Sequence, residues 1–362
     1  MVEFDFEMLS SLGFTPALAS RAVQLAVPEL PDLNLLRVTE VHRESVRLHD
    51  SGTECHARPL PRLVRSLLDE GTALAVGDWV LAAADLHRET WVHERVPPLS
   101  HIARRDGDGV RHPVVSNVDT ALLVMGLDDD FNPRRLERYL ALVHGDAIQP
   151  VVVLTKRDVA APTPEALDVR LDALRGRIPS HVDVIAVDAT QPAATAALAC
   201  YLTRGQTLVL LGSSGAGKST LTNTLLGAQV QDTGAVRAHD SRGKHTTTSR
   251  SLHRLAGGAC VIDTPGLRTL RPDIDSATLA GSFADVEALA NQCRFRDCRH
   301  LDEPGCAVRE GVGADRLRNY HKLLREARRD TLTALDRQKQ LAVWKARGRA
   351  TRERMKVKRG LE

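Results

Sequence analysis

Aromatic residues make up only 3% of this 362-residue chain, which leaves little material for the stacking platforms that hold single-stranded nucleic acid by its bases. No apolar run approaches membrane-spanning length, and the opening MVEFDFEMLS is acidic, without the basic-then-apolar layout of an export signal. We therefore expect a cytoplasmic protein with no membrane contact. Cysteine is sparse: Cys55, Cys200 and Cys260 are scattered, while Cys293, Cys298 and Cys306 gather around His300. In a reducing compartment such a cluster points to metal and not to disulfides.

What is present is enough apolar material, 43%, for real cores, and the length favours two or three domains. The formal charge is only +3, but the stretch from Thr331 to Glu362 carries ten Lys/Arg against three Asp/Glu, the mark of an electrostatic contact surface. Residues 1–34 contain Pro16, Pro28 and Pro31 and read as an N-terminal extension with one short helix near 16–27. From 35 to 105, short alternating segments such as SVRLH, GDWVLAA and TWVHERV between Gly, Asp and Pro turns predict a small β-barrel. From 106 to 275, buried strands alternate with helical stretches, which argues a mostly parallel α/β sheet with helices on both faces. From 276 to 362 the pattern is helical around the cysteine cluster, with Leu317, Tyr320, Leu324 and Ala327 on one face, before the basic tail.

Residues 211–227, LGSSGAGKSTLTNTLLG, follow the apolar strand TLVLL and lead into a helical stretch. Gly212, Gly217, Lys218 and Ser219 form the pattern G-x-x-x-x-G-K-S. Glycines let backbone N–H groups wrap phosphates, the helix N-terminus adds a favourable dipole, Lys218 reaches the terminal phosphates and Ser219 ligates Mg²⁺. The whole loop, Gly212, Ser213, Ser214, Gly215, Ala216, Gly217, Lys218, Ser219 and Thr220, is the expected nucleotide cradle. VIDTPG at 261–266 ends a second apolar strand, placing Asp263 to meet Mg²⁺ and Gly266 to offer an N–H to a terminal phosphate. VVVLTKRD ends a third strand with Lys156 and Asp158. A carboxylate there accepts both N1–H and N2–H₂ of guanine, a donor pair adenine lacks, so Asp158 implies GTP over ATP, and the lysine stem can pack on the base.

Between these motifs, RGKHTTT at 242–248 offers hydroxyls and N–H groups to Mg²⁺ and the γ-phosphate, with Thr247 the candidate among its threonines. Leu267 stands where many GTPases keep a water-orienting Gln, so His245 is the candidate to position water, a surface histidine being the plain alternative. His245, Lys218 and Thr247 form the expected catalytic set. The base-reading motif precedes the phosphate loop, as in circularly permuted GTPases, so the switch strand runs straight into the C-terminal module and nucleotide state can move that module directly.

Cys293-x4-Cys298-x-His300-x5-Cys306 supplies three thiolates and an imidazole. Such a set closes a tetrahedron around one Zn²⁺ and keeps no position open for catalysis, so the expected role is structural.

Together VGDWV at 76–80, NVD at 117–119, TKRD, the phosphate loop, RGKHTTT, DTPGLR and CRFRDCRHLDEPGCAV resemble the ribosome small-subunit-dependent GTPase A family. The resemblance spans about residues 35–310 and implies an OB-fold, a circularly permuted GTPase core and a C-terminal zinc domain. It further implies a GTPase that binds the immature small ribosomal subunit and its rRNA late in assembly, hydrolyses GTP to GDP and phosphate under that subunit's stimulation, and departs; a monomer is expected, since its functional surfaces already have a larger partner. Thr155 stands where Asn is usual in the guanine motif, and Asp188 where Ser is common before Ala189. Arg37, Arg43, Arg47, Arg58, Arg62 and Arg65, with Trp79 and Trp91, suit a basic groove on the barrel, meeting folded rRNA chiefly through its phosphates, a solvated charged face being the plainer reading of each arginine singly. The alternatives are a GTP-dependent RNA-binding chaperone without ribosome-stimulated turnover, or a metal carrier, which the closed ligand set disfavours. A P-loop kinase would need a second substrate pocket, of which the sequence carries no sign.

Overall fold

The computed structural model describes residues 5–25, 33–105, 110–144, 147–160, 163–228, 250–264, 271–272 and 276–330. His245, Thr247 and Gly266, with the rest of RGKHTTT and the basic tail, lie outside the described residues.

Five strands close a barrel: β1 (Asn34–Val41), β2 (Val46–His49), β3 (Glu54–Pro59), β4 (Trp79–Ala84) and β5 (Thr90–Arg95). Their ring order is β1-β2-β3-β5-β4 and back to β1, with β3 and β5 parallel and the other pairs antiparallel, which is the OB arrangement. Strand alternation turns Leu36, Val38, Val46, Leu48, Val80, Ala82 and Val92 into the barrel, where Leu63 and Leu67 of α3 (Pro61–Asp69) join them. On the opposite face, Leu35, Trp79 and Leu81 enter a larger core shared with the rest of the molecule.

That larger core explains the N-terminal residues, of which sequence reading expected one short helix. There are two, α1 (Phe6–Ser10) and α2 (Pro16–Gln24), capped by Asp5 and Thr15. Leu9, Leu12, Phe14 and Leu18 are buried between barrel and α/β sheet, with the Phe14 and Trp79 rings 4.8 Å apart.

A hairpin, β6 (His101–Arg105) and β7 (Arg111–Ser116), pairs with the short β14 (Arg271–Pro272) in a separate three-stranded sheet. It lies across residue 105, where the sequence reading divided barrel from α/β domain. The α/β sheet runs β10 (Asp183–Ala186), β9 (Gln149–Thr155), β8 (Thr120–Gly126), β11 (Thr207–Gly212), β13 (Cys260–Asp263) and β12 (Ser251–Arg254). Its first five strands are parallel and β12 is antiparallel. All seven residues of β8 and all six of β11 are buried, because helices cover both faces and polar alternation has no water to meet. Those helices are α4 (Pro133–Val143), α5 (Arg157–Ala160), α6 (Pro164–Asp172), α7 (Ala193–Ala197) and α8 (Lys218–Leu226). At its far edge β12 pairs with β1 through Glu40 and Ser251, so barrel and α/β sheet form one continuous eleven-stranded sheet.

The C-terminal module contains α9 (Ser276–Ser282), α10 (Ala284–Ala290), α11 (Ala307–Gly311) and α12 (Ala314–Asp330). Phe283, Val286, Val308, Leu317 and Ala327 form its core with Tyr320 and Leu324 packed against them, as the helical spacing predicts, and Ala141 of α4 reaches into it.

Candidate nucleotide and metal sites

The phosphate loop leaves the C-terminal end of β11 and closes at Gly217, the N-cap of α8. Gly217 has φ 90°, and a Cβ there would press on the Thr155 side chain; only glycine satisfies both demands. Lys218 is buried, and its ammonium donates to the carbonyl oxygens of Gly212 (3.1 Å) and Ser213 (2.9 Å). Burial lowers its pKa to about 8, against the pull of Asp263 and Asp130. Asp263 is fully buried at the end of β13. Thr264 donates its hydroxyl to Leu210 at 2.6 Å, fixing that strand end beside β11.

Strand β9, which leads into TKRD, ends against the same loop. Thr155 donates its hydroxyl to the Ala216 carbonyl at 2.6 Å. Lys156 takes φ 60°, which turns its side chain to an ion pair with Asp128 at 2.6 Å. Asp158 is exposed on α5 and lines a cavity of about 360 Å³ with Arg157, Val187, Asp188 and Gln191. The opposite wall is a formed loop. Asp188 accepts from the Thr190 N–H (2.9 Å) and hydroxyl (2.6 Å), which holds its carboxyl below its ordinary pKa, and Ala189 accepts from Thr224 of α8 at 2.6 Å. The TKRD residues, the phosphate loop and Asp263 thus converge at the C-terminal ends of β9, β11 and β13, where open α/β sheets bind ligands.

Sequence reasoning missed the acidic loop after β8. Asp130 accepts the Ser213 hydroxyl at 2.6 and 2.7 Å and is paired with Arg135, while Asp128 holds Lys156. The signal was the run DDD at 128–130 on a strand end, which no spacing rule singles out. The expectation for Arg37 and Trp79 is overturned: both are fully buried at the junction of barrel and α/β sheet and face no groove. Periodicity places a strand residue on one of two faces, and here the face turned away from the barrel interior is also covered. Arg43, Arg58 and Arg65 are exposed, as that reading requires; Arg62 pairs with Glu94 at 3.3 Å.

In the C-terminal module a local turn makes the second site. Arg294 donates its N–H to the Gly305 carbonyl (3.0 Å), bringing Cys293 beside Cys306, the N-cap of α11. His300, at φ 60°, turns its Nδ1 to 3.6 Å from the Cys293 sulfur and 3.4 Å from that of Cys306. The ligand atoms of Cys293, Cys298, His300 and Cys306 all lie within 4.8 Å of one another. Three sulfurs and one nitrogen at that spacing fit a tetrahedral metal ion. Beside them a cleft of about 1200 Å³ opens between α4 and α12, lined by Arg299, Arg318, Lys322 and Arg325 among others.

A phosphate loop, a guanine-type carboxylate and a buried aspartate on parallel strand ends define a P-loop GTPase, and the base-reading strand preceding the loop strand makes it a circularly permuted one. The chain belongs to the RsgA GTPase family, whose model matches residues 92–272. It is 45% identical over 333 residues to the small ribosomal subunit biogenesis GTPase RsgA of Xanthomonas oryzae pv. oryzae, covering 88% of each chain. It is 47% identical over 295 residues to the protein of that name from Xanthomonas campestris pv. campestris, covering 79% of each. Among solved structures it resembles YjeQ from Thermotoga maritima, with TM-score 0.59 and 23% identity over 82% of this chain and 99% of that one. It also resembles YloQ, described as a circularly permuted GTPase, with TM-score 0.55 and 22% identity over 85% and 99%. The chain is accordingly a GTP-hydrolysing enzyme of this family. Among the described residues no helix is long and apolar enough to cross a membrane.

Proposed function

We propose that this GTPase acts in the cytoplasm, as a monomer, on the small ribosomal subunit late in its assembly, binding its rRNA, hydrolysing GTP to GDP and phosphate under that subunit's stimulation, and then leaving. The observation that carries this reading is the 45% identity to a small ribosomal subunit biogenesis GTPase over 88% of both chains. The exposed Arg43, Arg58 and Arg65 on the barrel and the basic cleft beside the metal cluster support a phosphate-dominated contact with folded RNA.

In this reading Gly212 to Thr220 cradle the phosphates, Lys218 neutralises charge on the terminal pair, and Asp158, with Thr155 and Lys156 behind it, selects guanine. Mg²⁺, when bound with the nucleotide, would supply charge neutralisation at the phosphates. Ser219, Asp263 and Thr247 are the hard oxygen donors that would hold it, with Gly266 donating to the γ-phosphate. His245 orients the attacking water. Cys293, Cys298, His300 and Cys306 would hold one structural Zn²⁺, whose binding would stabilise the module's fold. The division into residues 1–34, 35–105, 106–275 and 276–362 assigns these tasks to extension, RNA-binding barrel, GTPase and zinc module with basic tail.

The test is steady-state GTP hydrolysis by the chain alone, with stoichiometric small subunits, and with large subunits. Strong stimulation by the small subunit alone is expected; no stimulation by either removes the ribosomal partner from the reading. Replacing His245 with Ala should then lower stimulated turnover while GTP affinity holds.

A further inference from the structure

We propose that Thr155 is a positioning residue that latches the phosphate loop to the guanine-reading strand, and that in consequence its hydroxyl offers guanine N7 no hydrogen-bond donor. This rests on the guanine reading of Asp158 above and deepens it.

Thr155 is 0% exposed. A threonine hydroxyl carries one proton. Here that proton has two acceptors in reach, the Ala216 carbonyl at 2.6 Å and, at the limit of bonding, the Met125 carbonyl at 3.5 Å. Both are backbone oxygens, so whichever takes it the proton is spent inside the protein. What remains on Oγ1 is lone pairs, and N7 of a purine is itself an acceptor; two acceptors facing one another gain nothing. An Asn at this position would carry two N–H donors and a carbonyl, enough to hold the loop and still donate to a base.

The latch has a clear purpose. Gly217, with no Cβ, lets the Thr155 side chain approach within van der Waals contact of the loop. The bond at Ala216 then sets the loop one residue before the N-cap of α8, where backbone N–H groups must point at phosphate. Base recognition on this side is left to Asp158 and to the loop of Asp188 and Ala189, which Thr224 holds in place.

The test uses the full chain with GTP and 7-deaza-GTP, in which N7 is replaced by C–H, and reads affinity by calorimetry. The two nucleotides should bind within about threefold of one another, since a neutral hydrogen bond to N7 would be worth up to about tenfold. A loss of about tenfold or more for 7-deaza-GTP overturns the proposal. Thr155→Val removes the latch and should weaken both nucleotides in parallel by about fivefold to tenfold, leaving their ratio unchanged, and Thr155→Ser should restore both. A folded Thr155→Val chain that binds GTP like the parent overturns the latch; should that variant melt early, the comparison of the two nucleotides on the parent chain still decides the N7 claim. ATP competing with GTP at similar concentration would instead sink the guanine reading, an outcome distinct from either.

Discussion

Two buried arginines pin the two ends of the GTPase core, and they are pinned differently. At the barrel junction Arg37 of β1 lies 5.6 Å from the Trp79 ring centroid and donates to Thr207 Oγ1 (2.9 Å), to the Asn117 carbonyl (3.0 Å) and to the Leu12 carbonyl. All three acceptors are uncharged, and burial lowers the guanidinium's pKa, with Cys260, Asp119 and Asp78 only partly offsetting it. At the C-terminal junction Arg316 of α12, 6% exposed, lies 4.5 Å from the Phe283 ring centroid. Its partners include two carboxylates, Asp285 through two bonds of 2.7 Å and Glu137 of α4 at 2.9 Å, besides the Arg177 carbonyl at 3.1 Å. Burial pulls its pKa down here too, but the carboxylates win and the net direction is up. Around Arg316, Glu137 also accepts from Arg177 (3.1 Å), Asp315 pairs with Arg134 and Arg177, and Arg138 pairs with Glu326 (2.6 Å).

The first junction is continuous with the sheet and core; its arginine ties together two backbone carbonyls and a threonine hydroxyl from three separate segments. Gly77 belongs to the same seam: at φ 93°, a Cβ there would collide with the Ser116 carbonyl, and Asn117 donates to the Gly77 carbonyl at 3.0 Å. The stretches VGDWV and NVD are therefore two sides of one contact. The second junction joins surfaces through opposite charges; its outer pair, Arg134 with Asp315, is part-exposed and competes with water and salt. The lesson is that the barrel is built as a fixed part of the GTPase core and the metal module as a separable one, joined along α4. The N-terminal half of α4 also carries Arg135, the partner of Asp130 at the phosphate loop.

The largest effect expected is from metal removal. A strong chelator, or Cys306→Ser, should remove on the order of 10 kcal/mol of folding free energy from the C-terminal module and expose the amides of α10, α11 and α12 to hydrogen exchange while those of β1, β8 and β11 stay protected. Uniform loss of protection would erase the distinction between fixed and separable ends. Next, Arg37→Ala should cost about 4 kcal/mol by leaving buried acceptors unpaired, lowering the melting temperature of barrel and GTPase together as one transition; separate transitions would break the comparison. Glu137→Ala, at a site 2% exposed, should cost about 3 kcal/mol by leaving Arg316 and Arg177 facing a gap. Its effect should be confined to protection of α12, with GTP affinity unchanged in calorimetry.

The smallest effect concerns acid. Hydrogen bonds from Arg134 and Arg177 hold Asp315 well below the ordinary carboxylate range, so its contribution is complete above the unfolded value of about 4 and is lost as pH falls through the folded value. Asp78 at the barrel junction is raised by burial, against the pull of Arg95. Its native form takes up a proton first, so mild acid favours that fold. Asp315→Asn at neutral pH reproduces the protonated state without disturbing metal ligands and should loosen α12 by about 0.5 kcal/mol, an effect that disappears in high salt. Equal loosening of β1 in that variant would contradict the assignment of the two junctions.

The motif chemistry was legible in the sequence because it is local. A loop that wraps phosphate needs its glycines, lysine and serine in one contiguous run, and a knuckle needs its four ligands a few residues apart, so G-x-x-x-x-G-K-S and the Cys/His spacing announced themselves. The barrel and the parallel sheet were legible for a related reason: period-two alternation and unbroken apolar runs record how many faces of a strand are buried. What periodicity does not record is what covers a face. Arg37 and Trp79 read as a basic, aromatic surface until Leu12, Phe14, Thr207 of β11 and Asn117 closed over them. Asp130, Glu137 and Arg316 carry no local pattern at all; their roles arise from contacts with Ser213, Arg177 and Asp285 that lie 83, 40 and 31 residues away in sequence. Only tertiary structure makes those contacts, because a charge acts across a few ångströms of space whatever its distance along the chain.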